Sequence, residues 1–204
     1  MKTFLLAFSI ICFVFICKTI AAPQPVLDIS GKKVTTGVKY YILPVIVGNG
    51  GGLTVTSIAD NNNNTCPLYV VQEKQEVQNG QPVTFTPYNA TKGVILTSTD
   101  LNIKSSFTKK TTCAQPPVWK LLKVLSGVWF LSTGGVEGNP GFQTIGNWYK
   151  IEKAGKDYVL SFCPSVCNCH TLCRELGLYT DDKGIKHLAL SDQVPSFRVV
   201  FQRA

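Results

Sequence analysis

Cys66-Pro-Leu-Tyr-Val-Val-Gln-Glu-Lys74 is β-rich, and a turn at Asn79-Gly80 follows it. Phe85-Thr-Pro-Tyr-Asn-Ala-Thr-Lys92 comes next, then Val94-Ile-Leu-Thr-Ser-Thr99 and Leu101-Asn-Ile-Lys-Ser-Ser-Phe107, with Cys113 beyond. β-branched and aromatic residues mark the outer parts as strands. The middle part, from Phe85 to Lys92, is polar, contains proline and is short of core residues. A short exposed loop between strands, inside a segment bounded by two cysteines, suits the display of a rigid peptide to a partner. It equally suits an ordinary strand connection.

The same rhythm runs outward in both directions. Tyr40-Tyr-Ile-Leu-Pro-Val-Ile-Val47 precedes Gly48-Asn-Gly-Gly-Gly52, which reads as a hairpin turn into Leu53-Thr-Val-Thr-Ser-Ile58. Asp60-Asn-Asn-Asn-Asn64 is a second turn cluster. Val118-Trp-Lys-Leu-Leu122 and Val128-Trp-Phe-Leu131 lead to Gly134-Gly-Val-Glu-Gly-Asn-Pro-Gly141, the longest loop signal. Further strands are expected at Trp148-Tyr-Lys-Ile-Glu152, Tyr158-Val-Leu-Ser-Phe-Cys163, Gly177-Leu-Tyr179, His187-Leu-Ala-Leu-Ser191 and Phe197-Arg-Val-Val-Phe201. Helical periodicity is nearly absent. About a dozen short strands in one domain imply a closed or stacked all-β architecture without exposed edges.

Residues 1–22 read as a secretory signal peptide: basic Lys2, an apolar run from Phe4 to Cys17, and small residues at Ala21-Ala22. That run is too short for a membrane span. Residues 23–204 then form one domain, which at this size buries roughly 70% of its unfolded surface. Loss of Lys2 and Lys18 lowers the formal charge from +8 to +6. The basic residues are scattered and do not interleave with aromatics, which argues against nucleic acid. No membrane partner is expected. The remaining cysteines are Cys66, Cys113, Cys163, Cys167, Cys169 and Cys173, an even number that reads as three disulfides in a secreted chain.

No catalytic constellation is legible. His170 and His187 are the only histidines, neither in a Ser/His/Asp pattern, and no Gly-x-Ser-x-Gly or His-Glu-x-x-His occurs. Gly48 to Gly52 lacks the lysine of a phosphate loop, and Asp181-Asp182-Lys-Gly184 reads as a turn. Cys163-x3-Cys-x-Cys-His-x2-Cys173 has the ligand types of a zinc site, but an oxidising compartment favours disulfides. No metal and no cofactor are expected.

Val26-Leu-Asp-Ile-Ser-Gly-Lys-Lys-Val34, followed by Tyr40-Tyr-Ile42, resembles the N-terminal signature of the Kunitz soybean-type protease inhibitors of plants. Ser30 departs from it, standing where an acidic residue, Asn, Thr or Tyr is usual. The likeness continues through Gly50-Gly-Gly-Leu-Thr-Val55, Cys66-Pro-Leu-Tyr-Val-Val-Gln72, Ser98-Thr-Asp-Leu-Asn-Ile103, Trp119, Trp148-Tyr-Lys-Ile-Glu152, Phe162-Cys-Pro164, Gly177-Leu-Tyr179 and Leu188-Ala-Leu-Ser191. Within the family, the chain is most similar to the miraculin-like members. The resemblance implies a β-trefoil of twelve strands in three similar thirds.

It also implies the pairs Cys66–Cys113, Cys163–Cys173 and Cys167–Cys169, although the miraculin-like members usually have two residues between the inner cysteines where this chain has Asn168 alone. The first pair closes a loop that contributes about 4 kcal/mol in the chain-entropy model. The implied function is inhibition of a serine or cysteine endopeptidase by a substrate-like reactive loop, here Pro87, Tyr88, Asn89, Ala90, Thr91 and Lys92. Preorganisation lowers the entropy cost of such binding. Asn89 aligns with the residue that enters the protease specificity pocket. It carries no positive charge, so strong trypsin inhibition is not expected, and a protease that prefers Asn becomes a candidate target.

Asn89-Ala-Thr91 and Asn63-Asn-Thr65 are N-glycosylation sequons, and a glycan on Asn89 would block the loop. The alternative function is therefore a non-inhibitory miraculin-like storage or binding protein. Two histidines are too few for pH-switched taste modification of the miraculin kind, and the aligned positions hold Asn49 and Asn79. The expected state is a secreted monomer in the apoplast, serving plant defence.

Overall fold

Side chains that alternate inward and outward along short strands set the architecture. The computed structural model describes residues 22–58, 66–89, 93–107, 113–125 and 127–204, without the side chain of Leu125. Most of the expected signal segment, the Asn63 sequon, and Ala90, Thr91 and Lys92 of the expected reactive loop lie outside the described residues. Among the described residues there are thirteen strands: β1 (Tyr40–Pro44), β2 (Leu53–Ser57), β3 (Leu68–Gln72), β4 (Val83–Pro87), β5 (Leu101–Ser105), β6 (Val118–Leu125) and β7 (Val128–Gly135). They continue as β8 (Lys150–Ala154), β9 (Asp157–Phe162), β10 (Arg174–Glu175), β11 (Gly177–Thr180), β12 (Lys186–Ser191) and β13 (Arg198–Arg203). A 3-10 helix, Phe142–Asn147, enters β8.

The pairings resolve these strands into two layers. β13 pairs with β1, β1 with β4, and β4 with β5. Leu101 bridges Tyr149 at the mouth of β8, β8 pairs with β9, and β9 returns to β13. That circuit is a closed six-stranded barrel, so none of its strands is an edge open to a second chain. The hairpins β2–β3, β6–β7 and β11–β12 form the other layer. They meet in a triangle, through Tyr69↔Ser132, Ala189↔Phe130 and His187↔Val71. A barrel capped by three hairpins is a β-trefoil. The strand beyond the expected twelve is β10, two residues that pair with the end of β9 after the cysteine hairpin.

The barrel interior is filled by the inward set. Tyr40 and Ile42 alternate inward on β1, as do Val83 and Phe85 on β4 and Leu101 and Ile103 on β5. Phe85 meets Phe201 edge-on, with ring centroids 5.5 Å apart. The N-terminal segment seals one side through bridges from Pro25 to Leu96 and from Thr35 to Val94. Its turn is held by Asp28, whose Oδ1 accepts the N–H groups of Ser30 and Lys32 at 2.9 Å. Gly31, at φ +74°, supplies the left-handed step that this turn requires.

Three readings change. Phe85 to Pro87, expected to open the polar segment, lies in β4, where strand alternation turns Phe85 into the barrel core. Val94 to Thr99 forms isolated bridges rather than a strand, because Ser98 turns the chain at φ +58°. Gly48 to Gly52 is not a hairpin turn: β1 pairs with β13 and β4 while β2 pairs with β3. These glycines instead carry the chain from barrel to cap, and their close packing explains them. A Cβ on Gly52 would stand 2.1 Å from the Asn79 carbonyl oxygen.

Candidate functional site

Pro87 ends β4 opposite Leu101 of β5, and the chain leaves the barrel there. Pro87, with no N–H to give, suits the last position of a ladder. The Tyr88 N–H donates to the Asp100 carbonyl at 2.8 Å, so the first residue of the excursion is still tied to the last. The Tyr88 ring is half exposed and leans edge-on against Trp148, 5.9 Å between centroids. Trp148 is 1% exposed and donates its Nε1–H to Thr144 Oγ1 at 3.3 Å, which fixes the face that Tyr88 meets. Asn89 is exposed at the tip. The return limb is held separately: Thr36 Oγ1 accepts the Gly93 N–H at 3.0 Å, and the Thr36 N–H donates to the Gly93 carbonyl at 2.9 Å. Further on, the Ser98 N–H donates to the Ile151 carbonyl at 3.0 Å.

Two networks brace this base. The Asp100 carboxylate accepts the Ser165 N–H at 3.1 and 3.2 Å, and Lys150 Nζ lies 3.9 Å away. Ser165 belongs to the segment between Cys163 and Cys167, so the cysteine hairpin and the loop share one anchor. On the other side, Glu137 accepts from Thr86 Oγ1 and Lys104 Nζ, on β4 and β5. Partial burial pushes the Glu137 carboxyl up. The hydrogen bonds from Lys104 and Thr86, with the Lys104 charge, outweigh this and hold it below the usual carboxylate range. Asn102 completes the clamp by accepting the Gly138 N–H at 2.7 Å and donating to the Asn147 carbonyl.

Cys66 is joined to Cys113, Cys163 to Cys173 and Cys167 to Cys169, with Cα separations of 5.6, 4.1 and 5.4 Å. His170 is exposed, and no cluster of His, Cys, Asp and Glu among the described residues could hold a metal. His187 lies inside β12, where its Nε2 is 2.9 Å from Asp181 Oδ2 and its ring stacks on Phe130 at 4.1 Å. Burial raises the Asp181 carboxyl, but the His187 contact and the N–H groups of Ile185 and Lys183 lower it further. The pair locks the β11–β12 turn onto the cap. Its spacing, Asp181 and His187 across a tight turn, was visible in the sequence.

The comparisons with known proteins agree with this geometry. The profile of the Kunitz legume family, described as trypsin and protease inhibitor, matches residues 26–203. The chain belongs to that family. Kunitz family members are protease inhibitors, not enzymes. Kunitz trypsin inhibitor 5 of Arabidopsis thaliana is 49% identical over 189 residues, 91% of this chain and 89% of its own. Miraculin of Synsepalum dulcificum is 44% identical over 182 residues, 87% of this chain and 83% of its own. A Kunitz-type cysteine protease inhibitor from potato superposes with a TM-score of 0.74 at 30% identity, over 89% of this chain and 98% of that one.

Reasoning from the sequence gave the Pro87–Lys92 segment no supports. Trp148 and Thr36 are distant from the loop in sequence, and Asp100, though near, is braced through the distant Ser165. Asp100 and Trp148 stood within quoted motifs without a role, and Thr36 carried no signal. No helix among the described residues is long and apolar enough to cross a membrane.

Proposed function

We propose that this chain is a secreted plant defence inhibitor whose Pro87–Lys92 loop enters the cleft of a serine or cysteine endopeptidase. The observation that carries the reading is the exposed Tyr88-Asn89 pair beyond Pro87, with Tyr88 tied to Asp100 and Trp148. A loop already fixed in one shape loses less entropy on binding. Asn89 is the residue that enters the specificity pocket. Trypsin, whose pocket favours a cation, is therefore a weak target. The chain acts as a monomer in the apoplast.

The test is Asn89→Arg, which supplies the cation and removes the sequon together. The variant is expected to inhibit trypsin at least a hundredfold more strongly than the deglycosylated parent. If trypsin stays fully active while the variant is folded, the loop or its register is wrong. A second reading, a non-inhibitory storage or binding protein, is favoured by the sequon on the exposed Asn89. An intact-mass measurement with and without glycosidase decides it: a fully occupied Asn89 takes this loop out of service.

A further inference from the structure

The surface beside the loop carries an apolar feature that the fold itself does not use. Among the Phe, Tyr and Trp side chains of the described residues, only Tyr88 and Phe142 are exposed, at 46% and 75%. Trp148 links them. Its ring meets Tyr88, and its Nε1–H donates to Thr144, two residues beyond Phe142. Two residues of chain reach about 7 Å, so this path from the Phe142 backbone to the Tyr88 ring spans at most about 20 Å. A protease–inhibitor interface buries roughly 800 Å² on each partner, a patch about 30 Å across. Phe142 is therefore within reach of an enzyme seated on the Tyr88-Asn89 pair.

The segment that carries Phe142 is pinned to the base of the loop. Ahead of it, Glu137 accepts from Thr86, the residue before Pro87, and the Gly138 N–H donates to Asn102. Behind it, the Thr144 hydroxyl donates to the Asn139 carbonyl, and the Thr144 N–H donates to the Gly141 carbonyl at 3.2 Å. The backbone is thus held on both sides of Phe142, and a fixed segment displays the ring. Val136, beside Glu137, is exposed as well. An aromatic ring shown in this way offers a large apolar area at small cost, because only two side-chain torsions are left to freeze.

We infer that Phe142 is a second anchor for the endopeptidase, packing against an apolar patch beside the cleft while the Tyr88-Asn89 pair enters it. The inference rests on the inhibitory loop proposed above and describes the partner further: an enzyme with an apolar rim on the side that faces Trp148. Asn89 then selects by the specificity pocket, and Phe142 selects among enzymes whose pockets are alike.

The test measures inhibition constants of the deglycosylated full chain against papain and subtilisin, and of its Asn89→Arg form against trypsin. Phe142→Ala is introduced into both forms. It is expected to weaken inhibition of at least one inhibited enzyme tenfold or more, the scale of a buried interface anchor. Phe142→Leu, which keeps much of the apolar area, should recover part of that loss. Val77→Ala removes another exposed apolar side chain, before β4 and away from Pro87, and should change nothing. The melting temperature of Phe142→Ala and its rate of cleavage within residues 88–92 should match the parent, so that lost inhibition reports a lost contact and not a disturbed loop. The inference is overturned if Phe142→Ala holds every inhibited enzyme as tightly as the parent, if Phe142→Leu is no better than alanine, or if Val77→Ala loses as much. It is also overturned if the loss comes with faster cleavage of the loop. Should neither parent form inhibit any of the three enzymes, the loop reading falls and the anchor falls with it. Should inhibition stand while Phe142→Ala is silent, the anchor alone falls.

Discussion

Two hairpins hold equivalent places in the barrel and end very differently. β8–β9 closes between Ala154 and Asp157 through Gly155 and Lys156 alone. β4–β5 pairs just as regularly up to Pro87↔Leu101, then makes an excursion over residues 88–100. A two-residue turn is enough to close this barrel, so the longer connection serves something else. Length alone would be cheap, because loop-closure entropy grows slowly. The added supports are what distinguish it: Trp148 under Tyr88, Ser165 on Asp100, Thr36 on Gly93 and Glu137 on Thr86. Stays of this kind fix both ends of the connection.

The comparison breaks most visibly at Trp148. Its truncation to alanine empties a fully buried site and is expected to destabilise the fold by about 3–5 kcal/mol. It also frees the Tyr88 ring. Limited proteolysis should then cut within residues 88–92 well before the rest of the chain unfolds, while the β8–β9 turn stays resistant. Equal resistance at the two hairpins would mean that Trp148 supports the core but not the loop.

Asp100→Ala comes next, at about 1.5–3 kcal/mol for a hydrogen bond to a charged group. Its diagnostic effect is on protease affinity, which should fall even where chemical denaturation shows most of the stability retained. Gly155→Ala is the matched control on the short turn. Gly155 sits at φ +65°, and the atom nearest to an added Cβ is Arg198 Nη2 at 3.6 Å. The change therefore costs about 1–2 kcal/mol of backbone strain without a clash. It should lower the melting temperature and leave inhibition untouched. Loss of inhibition in this control would dissolve the distinction between the two hairpins.

Much of this was legible in the chain. Leu101-Asn-Ile alternates so plainly that its strand was read directly, and Pro87-Tyr88-Asn89 stood out as polar sequence, whereas Val83-Thr-Phe, which begins β4, was not read as a strand because Phe85 was grouped with the polar residues after it. The supports did not stand out, since Asp100 acts through Ser165, 65 residues away, and such pairing is set by closure of the barrel. Gly48 to Gly52 misled for a related reason. A glycine run looks the same whether it turns a hairpin or lets two backbones approach, and only the Gly52–Asn79 contact separates the two.

The smallest effect belongs to Glu137, the outermost stay of the long hairpin. Its folded pKa lies below its unfolded value because Lys104 and Thr86 outweigh burial. The stabilisation is therefore fully present above the unfolded carboxylate value of about 4.3 and is lost as pH falls through the folded value. Both side chains of the Lys104–Glu137 pair are over a third exposed, so about 0.2–1 kcal/mol is expected at neutral pH. Asp181 is depressed too and titrates in the same direction, so total stability cannot isolate Glu137. The useful quantity is the gap between the parent chain and Glu137→Gln, followed by denaturation from pH 7 down to pH 3. The gap should hold to about pH 5 and then narrow. A gap that stays constant would show that the Lys104 charge contributes nothing, leaving Thr86 and the Asn102–Gly138 bond to hold this side of the loop.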